Sequence, residues 1–181
     1  MAALTKSLLH QTWFNGLRSL LYASGFVVLL AWIVLQLRVV DARFGLALPA
    51  ATVALGFVLL LAGAALAISC IATFVIRGRG TPALFDPPRR FVAAGPYRYV
   101  RNPMYLGGFA LLFGLSLSLR SISLVLMTVL LMPLCHLLVV LHEEPSLTRK
   151  FGEPYQTYLA TVRRWLPYPS AAGSLSAPRS S

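Results

Sequence analysis

The chain has 181 residues, of which 57% are hydrophobic and only 12% are charged, and its formal net charge at pH 7 is +11. This composition, with a mean hydropathy of +0.74, excludes an ordinary soluble domain of this size. The basic residues lie in short segments beside apolar runs, a distribution that is typical of membrane topology and argues against nucleic-acid binding. We therefore predict an integral membrane protein.

Four apolar runs are candidate membrane spans: Leu17 to Leu37, Pro49 to Ile76, Tyr105 to Leu119 and Ile122 to Leu141. A hydrocarbon core of about 30 Å requires about 20 helical residues, so the first, second and fourth runs are long enough to cross it. The third covers only about 22 Å, and we expect its helix to extend into Met104 and Arg120, or to be buried against its neighbours with local bilayer thinning. The predicted fold class is all-α, with about four transmembrane helices.

The distribution of Lys and Arg predicts the orientation. If both termini are cytoplasmic, 13 of the 16 basic residues lie inside, and only Arg38, Arg43 and Arg120 lie outside. The segment 77–104 and the chain after Leu141 then share the cytoplasmic face. The hairpin formed by the third and fourth runs should bring these two polar regions together.

A loop rich in Gly and Pro leads into the third run. Residues 77–90 are predicted to be an ordered loop or a solvated linker, Gly95 and Pro96 to form a turn, and Pro103 to occupy the first turn of the next helix. Between these turns lie Tyr97, Arg98, Tyr99 and Arg101, followed by Tyr105. An aromatic belt with positive-inside arginines is one interpretation. The rigid turn on each side favours the other, a binding loop with fixed side-chain directions.

The third run and the tail carry two further patterns. Small residues on the third run predict a face for close helix packing: Gly107, Gly108, Gly114, Ser116 and Ser118. The segment Ser146 to Trp165 is amphipathic, which predicts one helix on the cytoplasmic face with Arg163 and Arg164 toward the headgroups. We divide the chain into an N-terminal helix pair (1–76), a functional region (77–168) and a disordered tail (169–181).

Glu143 and Glu144 end the fourth run, where two carboxylates oppose the helix dipole. Compensated by Arg98 or Arg101, the pair is suited to a cationic ligand. His136 and His142 are six residues apart, which aligns them poorly for a shared metal, so no metal is expected. The two cysteines, Cys70 and Cys135, lie in apolar stretches and indicate neither a disulfide nor a metal site.

A set of ordered motifs covers residues 85–168. They are Gly95-x-Tyr97-x-x-x-Arg101-Asn102-Pro103-x-Tyr105, Glu143-Glu144, Phe151-Gly152-x-x-Tyr155-x-x-Tyr158 and Val162-x-Arg164-x-x-Pro167. Together they resemble the isoprenylcysteine carboxyl methyltransferase and phospholipid methyltransferase superfamily, in a bacterial-type member of the inner membrane. The resemblance implies a small multi-span enzyme that uses S-adenosylmethionine. It also implies a cytoplasmic cofactor pocket formed by the loop, the last hairpin and the amphipathic C-terminal helix.

The resemblance also implies roles for individual residues. The cofactor contacts fall on Arg90, Phe91, Val92, Tyr97, Asn102, Pro103, Met104, Tyr105 and Glu143. Arg101 and Glu144 are candidate catalytic residues, with the alternative that Arg101 braces Glu144. Asn102 replaces the usual His of an Arg-His-Pro triplet, and Val139 stands where the prenylcysteine enzymes have an Arg. The cofactor can therefore be shared while the substrate is not a prenylcysteine.

The expected partners are a lipophilic or small methyl acceptor, carrying a carboxyl, amine or thiol group, and membrane lipids. Two other functions remain open at the level of sequence. Membrane sterol-type reductases resemble the same hairpin but use a nicotinamide cofactor. A non-enzymatic adaptor would use the basic loop only to bind anionic lipids, at about 1 kcal/mol per Lys or Arg.

Overall fold

The computed structural model describes residues 24–25, 28–73, 76 and 91–167, and the regular structure in these ranges is helical, without strands. The elements are α1 (28–44), α2 (Thr52–Thr73), α3 (Pro103–Ser118), α4 (Ile122–Leu138), α5 (Glu144–Phe151) and α6 (Glu153–Thr161). A short 3-10 turn (Gly95–Arg98) precedes α3, and a π-helical turn (Val139–Glu143) joins α4 to α5. The all-α prediction is confirmed.

Two helices are long and apolar enough to cross a membrane: α2, and the continuous helix Ile122–Phe151 that comprises α4, the π-helical turn and α5. Only 17% of the most apolar window of each is buried. Core helices of a soluble protein would be mostly buried, so this exposed apolar surface fits a lipid environment. The chain is a membrane protein. Among the described residues, the second and fourth predicted spans are thus long enough to cross a membrane, whereas the third predicted span, α3, is a shorter apolar helix.

Helices α2 and α3 pack antiparallel through glycines. Gly56 and Gly63 on α2, and Gly107 and Gly114 on α3, are each seven residues apart, so each pair lies on one helix face. A Cβ atom added to Gly114 would lie 2.6 Å from the backbone nitrogen of Leu60, and one added to Gly63 would lie 2.8 Å from the carbonyl oxygen of Gly107. The small residues therefore bring the two backbones together, as close packing of membrane helices requires.

The predicted small-residue face of α3 is correct for Gly107, Gly114 and Ser118 and wrong for Gly108. Ser118 lies against Gly56, whereas a Cβ atom on Gly108 would meet no neighbouring atom within 4 Å. Successive residues of an α-helix differ by about 100° in direction. Gly108 therefore points away from α2 although it is adjacent in sequence to Gly107.

The turn between α3 and α4 holds α1. Arg120 adopts a left-handed backbone conformation with φ 55°, so α3 ends before it and the predicted extension into Arg120 is wrong. Asp41 of α1 accepts hydrogen bonds from the Ser121 hydroxyl and from the backbone N–H (3.0 Å) and hydroxyl (2.7 Å) of Ser123. Burial opposes the charge of Asp41, but these hydrogen bonds and Arg38 hold its pKa below the usual value. Asp41 thus fastens α1 to the hairpin.

The loop and the tail meet at the opposite end of the hairpin. Gly95, with φ 57°, lies against Thr73 at the end of α2. The predicted single amphipathic helix from Ser146 to Trp165 is wrong. Gly152, with φ 61° and ψ −136°, separates α5 from α6, and residues 162–166 leave the last helix without forming another. A positive φ suits Gly and ends the helix there.

Candidate active site

The loop before α3 is anchored by Tyr97. This side chain is 9% exposed, and its hydroxyl lies against the thiol of Cys70 on α2. Its backbone carbonyl accepts a hydrogen bond of 2.6 Å from the hydroxyl of Tyr158 on α6. Burial raises the pKa of Tyr97 above its usual value, so the phenol stays protonated. Tyr97 therefore joins α2, the loop and α6.

An aromatic cluster packs the start of the described loop onto the tail. The ring centroid of Phe91 lies 5.8 Å from that of Phe151, 5.6 Å from that of Tyr155 and 5.0 Å from that of Tyr158. Burial raises the pKa of Tyr155 to about 12, and raises that of Tyr158 as well. Val92, beside Phe91, is 8% exposed. Arg90, the remaining cofactor residue of this segment, lies outside the described residues, as do the rest of the predicted linker at 77–90 and the tail 169–181.

The C-terminal segment pairs with the loop through its backbone. The Arg101 N–H donates to the Arg163 carbonyl at 2.8 Å, and the Asn102 N–H donates to the Arg164 carbonyl at 3.3 Å. Residues some 60 positions apart in sequence thus lie side by side at one end of the hairpin. The expectation that the hairpin brings the two polar regions together is confirmed.

Glu144 is neutralised by two arginines. Arg164 donates to both carboxylate oxygens at 2.8 Å, and Arg101 lies 3.1 Å from one of them. The hydrogen bond to Glu144 raises the pKa of Arg164. Such bidentate charge-assisted pairs are among the strongest hydrogen bonds in proteins. The prediction that Arg164 faces the headgroups is wrong, and the geometry supports Arg101 as a brace for Glu144.

Glu143 has a different environment from its neighbour. Its carboxylate accepts a hydrogen bond from the hydroxyl of Tyr105 on α3. Within the described part of the chain, it forms no ion pair with Lys or Arg. It ends the π-helical turn, a local widening of the helix that is frequent at functional sites. The Glu143 carboxylate is therefore held in position by a phenol and not by a cation of the described residues.

Two buried donors at this end of the hairpin lack partners within the described structure. They are the Nε atom of Arg101 and the Nδ2 atom of Asn102. Asn102 precedes α3 but makes no side-chain cap, and Pro103 occupies the first helical turn as predicted. A buried donor without a partner costs about 1 to 3 kcal/mol. The two donors fit a ligand with acceptor groups.

Trp165 and His136 also lie at the candidate site, beside Tyr105. The sequence analysis assigned neither of them to the site. The Trp165 indole N–H donates to Nδ1 of His136 at 3.0 Å, and its ring lies edge-on to that of Tyr105 with centroids 6.2 Å apart. The sequence did contain a signal for Trp165, because this residue follows Arg164 within the motif Val162-x-Arg164-x-x-Pro167. Four predicted site residues lie at the same end of the hairpin: Tyr105, Glu143, Asn102 and Pro103. Met104, which follows Pro103 on α3, is half-buried.

Residues 51–154 match the family model of the phospholipid methyltransferases, which is more than half of the chain. The chain belongs to the phospholipid methyltransferase family. The match includes α2 to α5, the loop and both glutamates, and ends in the first turn of α6, before Arg164 and Trp165. No curated protein and no solved structure gives a significant match. Family membership confirms the resemblance and implies a membrane methyltransferase.

Proposed function

We propose that this phospholipid methyltransferase family member uses S-adenosylmethionine and binds it between the loop, the Glu143 end of the hairpin and the tail. The observation that supports the proposal most directly is the unequal treatment of two adjacent carboxylates. Arg101 and Arg164 form ion pairs with Glu144, whereas Glu143 accepts a hydrogen bond from the Tyr105 hydroxyl and forms no ion pair among the described residues. A carboxylate that has no cationic partner among the described residues is suited to a cationic ligand.

The residues fit this cofactor chemically. S-adenosylmethionine carries sulfonium and ammonium charges, which Glu143 would favour, and polar acceptor groups, which the free donors of Arg101 and Asn102 would satisfy. Phe91 is half-buried and supplies apolar surface in the same loop. Asn102 can donate and accept hydrogen bonds but cannot carry charge, so a binding role suits it better than proton transfer.

When bound, the cofactor supplies a methyl group already activated by the sulfonium charge, so the protein must mainly orient the reactants and exclude water. Tyr105 holds Glu143 in one orientation. Arg101 and Arg164 hold Glu144 and, through it, the helix that carries Glu143. The aromatic cluster around Phe91 packs the loop against α5 and α6.

Binding and product analysis test this proposal. Purified protein should bind labelled S-adenosylmethionine in preference to NADPH, and should retain that binding at high salt. Incubation of the methyl-labelled cofactor with lipid and small-thiol extracts should then give a labelled lipophilic product. Preferential binding of NADPH would indicate a reductase, and loss of all ligand binding at high salt would indicate an adaptor.

Val139 bears on the choice of acceptor. It is 1% exposed and begins the π-helical turn, so no cation occupies the position where prenylcysteine enzymes have an Arg. An anionic carboxylate there would pay a desolvation cost of several kcal/mol without a charged partner. A neutral lipophilic or amine acceptor avoids most of that cost.

We accordingly expect the protein to methylate farnesylcysteine analogues at a rate at least about tenfold below that of its best lipid acceptor, a ratio equivalent to 1.4 kcal/mol. Parallel turnover assays with equal amounts of each acceptor measure the ratio. Comparable rates would contradict the inference and would show that Arg98, Arg101 or Arg149 reaches the carboxylate.

The proposed orientation places the loop, the tail and both termini in the cytoplasm. The test uses a variant in which Cys70 and Cys135 are replaced by Ala. In intact cells, we expect cysteines introduced at Tyr99 and Gln156 to react with an impermeant reagent only after the membrane has been permeabilised. A cysteine introduced at Ala47, near the opposite turn, should react from outside. Labelling of positions 99 and 156 from opposite sides would contradict this topology.

A further inference from the structure

Trp165 lies where the tail crosses both helices of the hairpin. Its ring is edge-on to Tyr105 of α3, with an interplanar angle of 83°, and lies 6.5 Å from the ring of Phe109, also on α3. Toward α4, its indole N–H donates to His136 at 3.0 Å, and the two rings are 6.0 Å apart. One side chain of the tail thus contacts α3 and α4 at once.

These contacts are directly connected to the charged groups of the site. Tyr105, which packs against Trp165, is the residue whose hydroxyl binds Glu143. The preceding tail residue, Arg164, binds Glu144. Two consecutive tail residues therefore hold the two consecutive glutamates, Arg164 by direct contact and Trp165 through Tyr105.

We propose that Trp165 is a positioning residue for the cofactor site, and that the tail segment 162–166 closes the site by placing this indole between Tyr105 and His136. The proposal rests on the function proposed above. Because an aromatic ring restricts rotation of a phenol packed against it, Trp165 keeps the Tyr105 hydroxyl directed at Glu143. His136 fixes the indole in turn, since its Nδ1 atom accepts the only hydrogen that the indole can donate.

An interfacial belt tryptophan is the simpler explanation, and the geometry argues against it. A belt tryptophan directs its N–H toward headgroups or water. Trp165 directs its N–H to a histidine on α4, and its ring contacts two aromatic side chains of α3. These contacts are specific to one orientation of the indole.

Three variants test whether packing of the Trp165 ring affects the affinity for the cofactor. We expect Trp165→Ala to raise the Kd for S-adenosylmethionine about tenfold or more, because small misplacements in a site have large effects. Trp165→Phe keeps a ring against Tyr105 and should raise the Kd by no more than about threefold, equivalent to 0.65 kcal/mol. Trp32→Ala is the matched control, because Trp32 is exposed on α1. Calorimetry on the purified proteins measures all four affinities.

Hydrogen exchange provides a readout that does not depend on the cofactor. The amides of Arg101 and Asn102 donate to carbonyls of the tail, so Trp165→Ala should speed their exchange while the amides of α2 and α3 stay protected. Trp165→Phe should leave both sets protected.

The outcomes are distinct. If the wild-type protein fails to bind the cofactor, the proposed function is wrong. If the wild type binds it and Trp165→Ala matches the wild type in affinity and exchange, only the inference about Trp165 is wrong. Equal weakening by Ala and Phe would also overturn it, since ring packing would then not be the cause.

Discussion

Replacing Glu143 with Gln should weaken S-adenosylmethionine binding by about 1 to 3 kcal/mol, the range for losing a charged partner in a buried polar site. Gln keeps the shape of Glu and can still accept the Tyr105 hydrogen bond, so the change removes mainly the negative charge. Isothermal titration calorimetry measures the affinity, and methyl transfer should fall with it. We expect Tyr105→Ala to weaken binding within the same range, because Glu143 then loses its anchor.

Matched controls distinguish a located site from general damage. Glu153→Gln removes the same charge from an exposed position at the start of α6, and Cys135→Ala alters an apolar position on α4. Both should leave binding nearly unchanged. Equal losses in Glu143→Gln and Glu153→Gln would mean that net charge, rather than the Glu143 carboxylate, governs affinity.

Gly114→Ala should destabilise the protein by about 3 kcal/mol, at the upper end of the usual cost of overpacking. The added methyl group would lie 2.6 Å from the backbone nitrogen of Leu60 and 2.8 Å from the carbonyl oxygen of Gly56, so α2 and α3 would have to separate. Backbone atoms on both helices cannot move aside as a flexible side chain does. Thermal unfolding in detergent, followed by circular dichroism, measures the change.

The same helix offers a control for this substitution. Gly108→Ala adds the same methyl group where no neighbouring atom lies within 4 Å, and Ala is favoured over Gly within a helix by about 1 kcal/mol. We therefore expect Gly108→Ala to be neutral or slightly stabilising. If Gly108→Ala and Gly114→Ala unfold at the same temperature, the glycine contact between α2 and α3 does not hold the pair together.

The sequence by itself determined the features that depend on local chemistry and on the solvent. The length and apolarity of Thr52–Thr73 and of the helix after Ile122 are properties of continuous segments, so the membrane assignment needed no tertiary information. Pro103 begins α3 because its fixed φ suits a first helical turn. The Gly95 turn and the meeting of loop and tail followed in the same way from turn chemistry and from the hairpin.

Only the tertiary structure decided which side chains meet. Arg101 could have paired with either glutamate by sequence, and the tail's backbone pairing with the loop brings Arg164 to Glu144 and leaves Glu143 to Tyr105. The spacing of apolar residues in 146–165 suggested one helix. Such spacing shows which residues share a helix face, but it does not show the backbone angles of a single glycine such as Gly152, which ends α5. The contact of Trp165 with His136 joins residues 29 positions apart across two elements. Such contacts depend on how whole segments pack, and a local pattern in one chain does not contain that information.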